Sequence, residues 1–433
     1  MRIVIAGYGM AAARLAERLG GHDVTVVGEE PRPAYNRLLL AKVLTGTLTA
    51  DDVALTGGGT ARLGVAVSDV DPRARRVTLA DGTGLPYDVL VLATGARPWT
   101  PPVENLDARV LRTLDDHLAL AAEVRPGTEI AVLGGGVLGL ETALALASMR
   151  ARVTVVQPAG RLLERVLDDT ASAVLERQCR HHGVSVLAGA TAVRHEPGEG
   201  LKLDDGTFLP AAIVIAATGV RPRTELAERA GLAVDGGVIV DDGLRTSDPR
   251  VYAIGDCVRG APGLVAHAWR QADVLAERLT GGERRDVPEP PVTRLRASGV
   301  DLTAFGRLDP DALRFSDPAG GRYGALSIVD GRVGGAVLLG LPDAAAHLAD
   351  LHATGAPAPA DRLALLFGRA LPAGAAPAGG LVCRCAGVTR AFLVDAWRAG
   401  APDPAAATRA GTGCGDCRDR IADLIARLEG ESA

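Results

Sequence analysis

The chain is 433 residues long, room for about three domains at roughly 150 residues each. Charge nearly balances, with 47 Lys+Arg against 52 Asp+Glu, and only 3% of residues are aromatic, so neither the basic face nor the stacking platform of a nucleic-acid binder is present. The 47% hydrophobic content excludes global disorder, and the longest apolar run, 211–217, is far short of the ~18 residues of a spanning helix.

Residues 2–6 read as a buried parallel strand. Gly7, Gly9 and Ala12 follow at the spacing of a dinucleotide fingerprint, and an amphipathic helix runs on through Leu19. The two glycines interrupt the N-terminal apolar stretch, which argues against a signal peptide and for a cytoplasmic chain. Strand 23–27 leads to Glu29, placed to accept hydrogen bonds from ribose hydroxyls. The same unit recurs: strand 129–133, then Gly134, Gly136, Gly139 and Glu141, a helix to Met149, and strand 152–156 before Gln157. Each unit closes on a strand and Ala-Thr-Gly, at Ala93-Thr94-Gly95 and Ala217-Thr218-Gly219. Two nucleotide sites in one chain are expected.

Another strand ends at Gly255-Asp256, before a helix over 266–279 that carries Trp269. Residues 283–290 read as a linker. Alternation over 292–308 and 323–339, with Asp330-Gly331 as a turn, suggests a small α+β domain. An Ala-, Pro- and Gly-rich tether over 354–380 surrounds a short helix at 361–367. Only two lysines, Lys42 and Lys202, stand against 45 arginines, so each lysine merits attention as a compact ammonium.

Four of the six cysteines lie near the C-terminus: Cys383 and Cys385, then 28 residues, then Cys414 and Cys417. Four thiolates in two tight pairs suit a [2Fe–2S] cluster or a structural Zn²⁺. Thr389 can cap a helix ending at Gly400. Ile421, Leu424, Ile425 and Leu428 form the stripe of a second helix, with Gly430 as its stop.

The two fingerprints, two Ala-Thr-Gly ends and the Gly-Asp strand end resemble the two-dinucleotide flavoprotein reductases. Residues 28–37, running on to Lys42, are similar to the reductase portion of the assimilatory nitrite reductase large subunit and the nitrate reductase electron-transfer subunit. That likeness spans about residues 1–345. The implied fold is α/β, glutathione-reductase-like, with two Rossmann-like dinucleotide-binding domains, a small α+β interface domain and a small helical Fe–S domain. The implied boundaries are 1–105 and 226–282 for FAD, 106–225 for NAD(P)H, 283–345 for the interface domain, 346–379 for a helix and tether, and 380–433 for the cluster.

By the same resemblance Gly7, Gly9 and Ala12 meet the FAD pyrophosphate, Glu29 its ribose, and the backbone of Val67 its adenine. Arg37 and Lys42 approach the phosphates and the isoalloxazine edge; Thr94, Gly95, Gly255 and Asp256 complete the flavin site. Trp269 points to the pyrimidine end, although simple packing explains it equally. Lys42 is the candidate catalytic residue, a cation that stabilises the reduced flavin; the alternative is a solvent-exposed helix lysine. Gly134, Gly136, Gly139, Glu141, Gln157 and Gly219 are assigned to NAD(P)H. Gln157 is neither the acid of an NAD site nor the arginine of an NADP site, and Arg161 could reach a 2′-phosphate, so the preference for NADH is slight.

Residues 38–44 hold no sulfur where disulfide reductases and peroxidases of this fold place theirs, and Cys179 and Cys257 are expected as buried structural thiols. The C-terminal cysteines resemble the bacterioferritin-associated-ferredoxin type of [2Fe–2S] domain through Gly411-Thr412-Gly413-Cys414, with Arg384, Arg390, Arg418 and Arg420 to balance the cluster. The spacer is shorter than that pattern, which keeps zinc open. The chain stops 16 residues after Cys417, so nitrite reduction on a further domain is not expected from it.

The expected function is electron transfer from NAD(P)H through FAD to the cluster. The expected partner is a molybdenum nitrate reductase or a sirohaem nitrite reductase, with homodimerisation open and no membrane or nucleic-acid partner. Two alternatives stand beside it: a stand-alone flavin oxidoreductase of a small organic substrate, and a metalloprotein-docking module with secondary redox activity.

Overall fold

In the computed structural model, strand Arg2–Ala6 lies at the centre of a five-stranded parallel sheet, between Val89–Leu92 and Asp23–Val27, with Val251–Ala253 and Thr60–Arg62 outermost. The structure describes residues 1–433 except 56, 288–289, 298, 369–380, 384–387, 409, 412–416 and 433, and the backbone alone of 381, 406, 418–419 and 431–432. Four consecutive buried residues, Ile3 to Ala6, show why the strand reads as an unbroken apolar run: both sheet faces are covered. Helix Met10–Arg18 packs on one face together with Val265–Leu279.

The second unit repeats the plan. Its parallel sheet runs Val184–Ala188, Arg152–Gln157, Glu129–Leu133, Ile213–Ala216 and Arg109–Val110, with helix Val137–Ser148 after the central strand. Each unit also carries a three-stranded antiparallel sheet: Val67–Asp71, Arg76–Leu79 and Gly84–Pro86 in the first, Ala192–Glu196, Gly200–Leu203 and Phe208–Pro210 in the second. The chain crosses between units along Ala96–Pro98 and Val220–Pro222, which pair antiparallel directly after the two Ala-Thr-Gly ends. Both strand-and-glycine units, and the second copy of the pattern, are as the sequence indicates.

A third sheet is antiparallel, in the order Val292–Ala297, Val300–Gly306, Arg332–Leu339, Arg322–Val329 and Leu313–Asp317. Asp330 and Gly331 turn one hairpin with φ of 50° and 71°, the left-handed values that a two-residue connection needs. One face of this sheet, with Leu295, Leu302, Tyr323 and Val337, shares a core with the second unit. The other face, with Phe305, Leu326 and Leu338, is covered by helix Pro342–Thr354.

That helix corrects the boundary at 345/346, which falls inside it: Ala344, Ala345, Leu348 and Ala349 are buried on the sheet. Helix Arg362–Leu366, capped by Asp361, buries Leu365 and Leu366 in the same cluster, so this part of the expected tether belongs to the domain. Residues 369–380 of the tether lie outside the described residues.

At the C-terminus, Leu381–Cys383 pairs with Val388–Thr389 ahead of helices Arg390–Arg398, Pro404–Thr408 and Arg418–Ser432. The Thr389 side chain caps the first of these, accepting from the Phe392 N–H. The last helix passes through Gly430 rather than stopping there: a glycine ends a helix only when it takes a left-handed conformation, and Gly430 has no positive φ.

Candidate cofactor sites

In both glycine loops the first glycine holds a φ that other residues rarely adopt, +108° at Gly7 and +109° at Gly134. A Cβ at Gly7 would strike the Ala93 carbonyl oxygen, and one at Gly134 the Ala217 carbonyl oxygen. Each turn is thus pressed against the Ala-Thr-Gly end of its own unit, which explains the pairing of the two motifs. The second glycines differ in kind: a Cβ on Gly9 or Gly136 would meet no protein atom within 4 Å. These two residues are also the N-caps of helices Met10–Arg18 and Val137–Ser148, and neither helix has a side-chain cap. Backbone N–H groups of an uncapped first turn, bordering open space with no Cβ in the way, fit a pyrophosphate. The residues present therefore suit two dinucleotides.

The flavin-side candidates converge from both units. Asp256, on the short turn Gly255–Cys257, accepts from Arg112 Nη2 at 2.9 Å. Arg37 places one guanidinium nitrogen on Glu30 and another on the Arg112 carbonyl, each at 2.6 Å, and lies over the Tyr35 ring. The Tyr35 hydroxyl donates to Glu30 at 2.5 Å and accepts from the Leu114 N–H at 2.9 Å; burial is the main cause that raises its pKa. Glu29 is exposed and paired with Arg223 at 2.6 Å. Thr94 Oγ1 donates to the Arg223 carbonyl, whereas the Arg223 N–H donates to the carbonyl of Gly95. Val67 opens its antiparallel strand, opposite Leu79.

Lys42 is exposed on helix Leu40–Leu44. That helix is wedged between units, since Leu40 and Val43 pack with Leu114 while Leu44 joins the core of the second unit. Trp269 is buried, with its indole N–H on the Met10 carbonyl at 3.1 Å and Arg14 over its ring. It locks helix Val265–Leu279 to helix Met10–Arg18.

In the second loop Gln157 Oε1 accepts the Gly135 N–H at 2.8 Å, so the end of its strand fixes the turn. Gly139 is required by space: a Cβ there would collide with the Gly134 carbonyl oxygen. Glu141 takes the Arg296 N–H of the antiparallel sheet at 3.4 Å. Gly219 accepts the Trp99 N–H on its carbonyl, and Thr218 Oγ1 donates to the Trp99 carbonyl at 2.6 Å. Arg161 binds the Leu167 and Glu164 carbonyls and Asp169 with three of its five N–H groups, closing its own loop.

Cys179 and Cys257 are buried, and burial pushes the Cys179 thiol up to about 12 and raises that of Cys257. The Cys257 sulfur faces the carbonyls of Ile254 and Leu92 at 3.3 and 3.5 Å, a structural position. Of the cluster candidates, Cys383 and Cys417 are buried in one small core with Val388, Leu393 and Ile421. Cys385 and Cys414 lie outside the described residues, as do Arg384, Thr412 and Gly413. Two thiols drawn into one core from opposite ends of the domain suit a bridging cluster. Arg420 donates to the Val382 carbonyl at 3.1 Å, beside Cys383.

Residues 1–272 match the family model for pyridine nucleotide-disulphide oxidoreductases. The chain belongs to that family. Residues 381–427 match a BFD-like [2Fe–2S] binding domain, so the protein is an NAD(P)H-dependent oxidoreductase with FAD and a [2Fe–2S] cluster as cofactors.

Across 98% of its length the chain is 30% identical to a nitrite reductase [NAD(P)H] of Bacillus subtilis (strain 168), covering 57% of it. It is 29% identical to that organism's assimilatory nitrate reductase electron transfer subunit, again across 98% of the chain, covering 59% of the relative. The chain thus spans a little over half the length of these two proteins. Among solved structures, the covalent putidaredoxin reductase–putidaredoxin complex superposes with a TM-score of 0.76 at 28% identity, over 82% of this chain and 94% of that one.

Sequence reasoning missed Arg112 and Arg223. Arg112 sits just before a capping box, Thr113 with Asp116, that starts helix Leu114–Glu123, and this box was the available signal. Arg223 follows the second Ala-Thr-Gly by four residues, with no local motif of its own.

Proposed function

We propose that this chain is an electron-transfer subunit that draws on NADH and supplies a partner reductase, a molybdenum nitrate reductase or a sirohaem nitrite reductase, in nitrate or nitrite assimilation. When bound, FAD accepts hydride from the nicotinamide and releases electrons singly, which the [2Fe–2S] cluster can take. The observation that carries the reading is the combination in one chain of two uncapped glycine-loop helices with a core that gathers Cys383 and Cys417. Likeness over 98% of the chain to one relative named a nitrite reductase and another named a nitrate reductase electron transfer subunit supports the partner class.

The residues have defined tasks in this reading. Gly9 and Gly136 leave the phosphates access to backbone N–H groups, Asp256 and Glu29 hold hydroxyls, and Lys42, carried on a helix wedged between the units, places its ammonium at the isoalloxazine edge. Gln157 turns its amide N–H₂ away from Gly135 and towards the adenosine ribose. Gln157 carries no charge to attract a 2′-phosphate, and three of the five guanidinium N–H groups of Arg161 are engaged by its own loop, which favours NADH.

Among the described residues no helix is long and apolar enough to cross a membrane, and a cytoplasmic location fits an NADH-fed reductase. Homodimerisation belongs to the proposal as an open arrangement for the outer helix of the third sheet. The test is acceptor reduction: with NADH, purified protein should reduce the partner, and Cys383→Ser should abolish transfer while NADH still bleaches the flavin. Full partner reduction by that variant would overturn the relay.

A further inference from the structure

A buried ion pair joins the helix that carries Trp269 to a segment the sequence marks only as a linker. Arg270, on helix Val265–Leu279, places Nη2 and Nε 3.0 and 3.1 Å from Asp286 Oδ1, and the two side chains are only 11% and 10% exposed. On either side of Asp286 the connector is open to solvent: Arg285 is paired at the surface with Asp242, and Val287 is 68% exposed. One residue of the connector therefore turns inward.

Its second oxygen accepts from Gln271 Nε2 at 3.1 Å, and Gln271, fully buried, accepts the Gly255 N–H on Oε1 at 2.8 Å. A backbone N–H can only donate, so the amide oxygen must face Gly255 and its N–H₂ must face Asp286. The carboxylate thereby fixes the orientation of an amide that holds the turn carrying Asp256.

We propose that Asp286 is a positioning residue for FAD: acting through Gln271, it holds the Gly255–Asp256 turn in its flavin-binding position and couples the connector to the cofactor. The proposal rests on the reading of that turn as part of the flavin site. Without Asp286 the Gln271 N–H₂ is left buried with no acceptor. If the amide rotates to relieve this, it presents a donor to the Gly255 N–H and drives the turn outward. Coupling between two sites is reciprocal, so bound FAD should in turn hold Asp286 in place. It should then shield the bonds after Arg284 and Arg285, residues 49% and 72% exposed, from trypsin.

The experiment uses the full chain, with FAD dissociation measured by flavin fluorescence and connector cleavage by mass spectrometry. Because Asp286→Ala alone strands the Arg270 cation, the variants are built on Arg270→Met, which removes that charge. R270M/D286N keeps an acceptor for Gln271 and should bind FAD within about threefold of wild type. R270M/D286A lacks it and should bind at least tenfold more weakly, as should Gln271→Met.

FAD should slow connector cleavage at least fivefold in wild type and not in R270M/D286A. Equal FAD affinity in R270M/D286A and R270M/D286N, or cleavage indifferent to FAD in wild type, overturns the proposal. Wild-type protein that binds no FAD overturns the flavin reading itself, a result separate from the comparison of variants.

Discussion

The two glycine loops are built on one plan but to different tolerances. The first accepts Ala12 at its third small position, buried against the sheet, whereas the second has no space for a Cβ at Gly139 beside the Gly134 carbonyl. Their strand ends also differ. Glu29 reaches across to Arg223 on the far side of the domain crossing, but Gln157 turns back to its own loop at Gly135. The first strand end is therefore tied across the domain crossing and the second to its own loop, although Glu141 and Thr218 link the second site to the third sheet and to Trp99. Loosening the Glu29–Arg223 pair should reach FAD before it reaches NADH.

The largest effects should come from testing the tight positions against the open ones. Gly7→Ala and Gly139→Ala each drive a methyl into a carbonyl oxygen, a strain of about 1–3 kcal/mol or more in a packed site. Thermal melts should fall by several degrees, and the affected nucleotide should be lost. Gly9→Ala and Gly136→Ala meet no protein atom, so their melts should stay close to wild type. Gly9→Ala should lose FAD, while Gly136→Ala keeps FAD and slows its reduction by NADH about a hundredfold, the scale set by misplacing a reactant by an ångström. If Gly9→Ala retains FAD, that loop does not hold the pyrophosphate.

Iron removal sharpens the contrast between the thiols of the large cores and the cluster thiols. Chelation with reductant should make four of the six cysteines reactive towards a thiol reagent. Cys383 and Cys417 are buried too, but in the small C-terminal core that loses its metal. Cys179 and Cys257 belong to the large cores of the two nucleotide-binding units and should stay silent until those unfold. A next, smaller effect is nucleotide choice: NADH should be favoured over NADPH about tenfold in kcat/KM, the size of one missing charged contact. Equal use of both would show that Arg161 or another cation reads the 2′-phosphate.

The smallest effect is at the surface. Asp88 accepts from the Arg2 N–H and guanidinium, which hold its pKa down at about 2. A carboxylate depressed in the folded state contributes stability above its unfolded pKa and loses it as pH falls towards the folded one. Chemical denaturation of wild type should therefore weaken between about pH 4 and pH 2, and Asp88→Asn should flatten that part of the profile.

Much of this was legible in the sequence because its signals are local. Strands 2–6, 23–27 and 129–133 are short apolar runs, each followed within a few residues by a glycine turn, and Thr389 announces its helix by type and position. Strand Leu313–Asp317 alternates over only five residues with no position fully buried, and helix Pro342–Thr354 is Ala-rich with a weak stripe; neither stands out from its surroundings. The partners that organise the flavin side were hidden for another reason. Arg112 with Asp256, Glu29 with Arg223 and Asp286 with Gln271 pair across 144, 194 and 15 residues, and folding alone brings them together.

The most direct test of the relay is an anaerobic titration of the reconstituted protein with NADH, followed by visible absorption. The account predicts that flavin and cluster bands both bleach in wild type and that only the flavin band bleaches in Cys383→Ser. A colourless protein, or a cluster band that persists in wild type once the flavin is fully reduced, would contradict it.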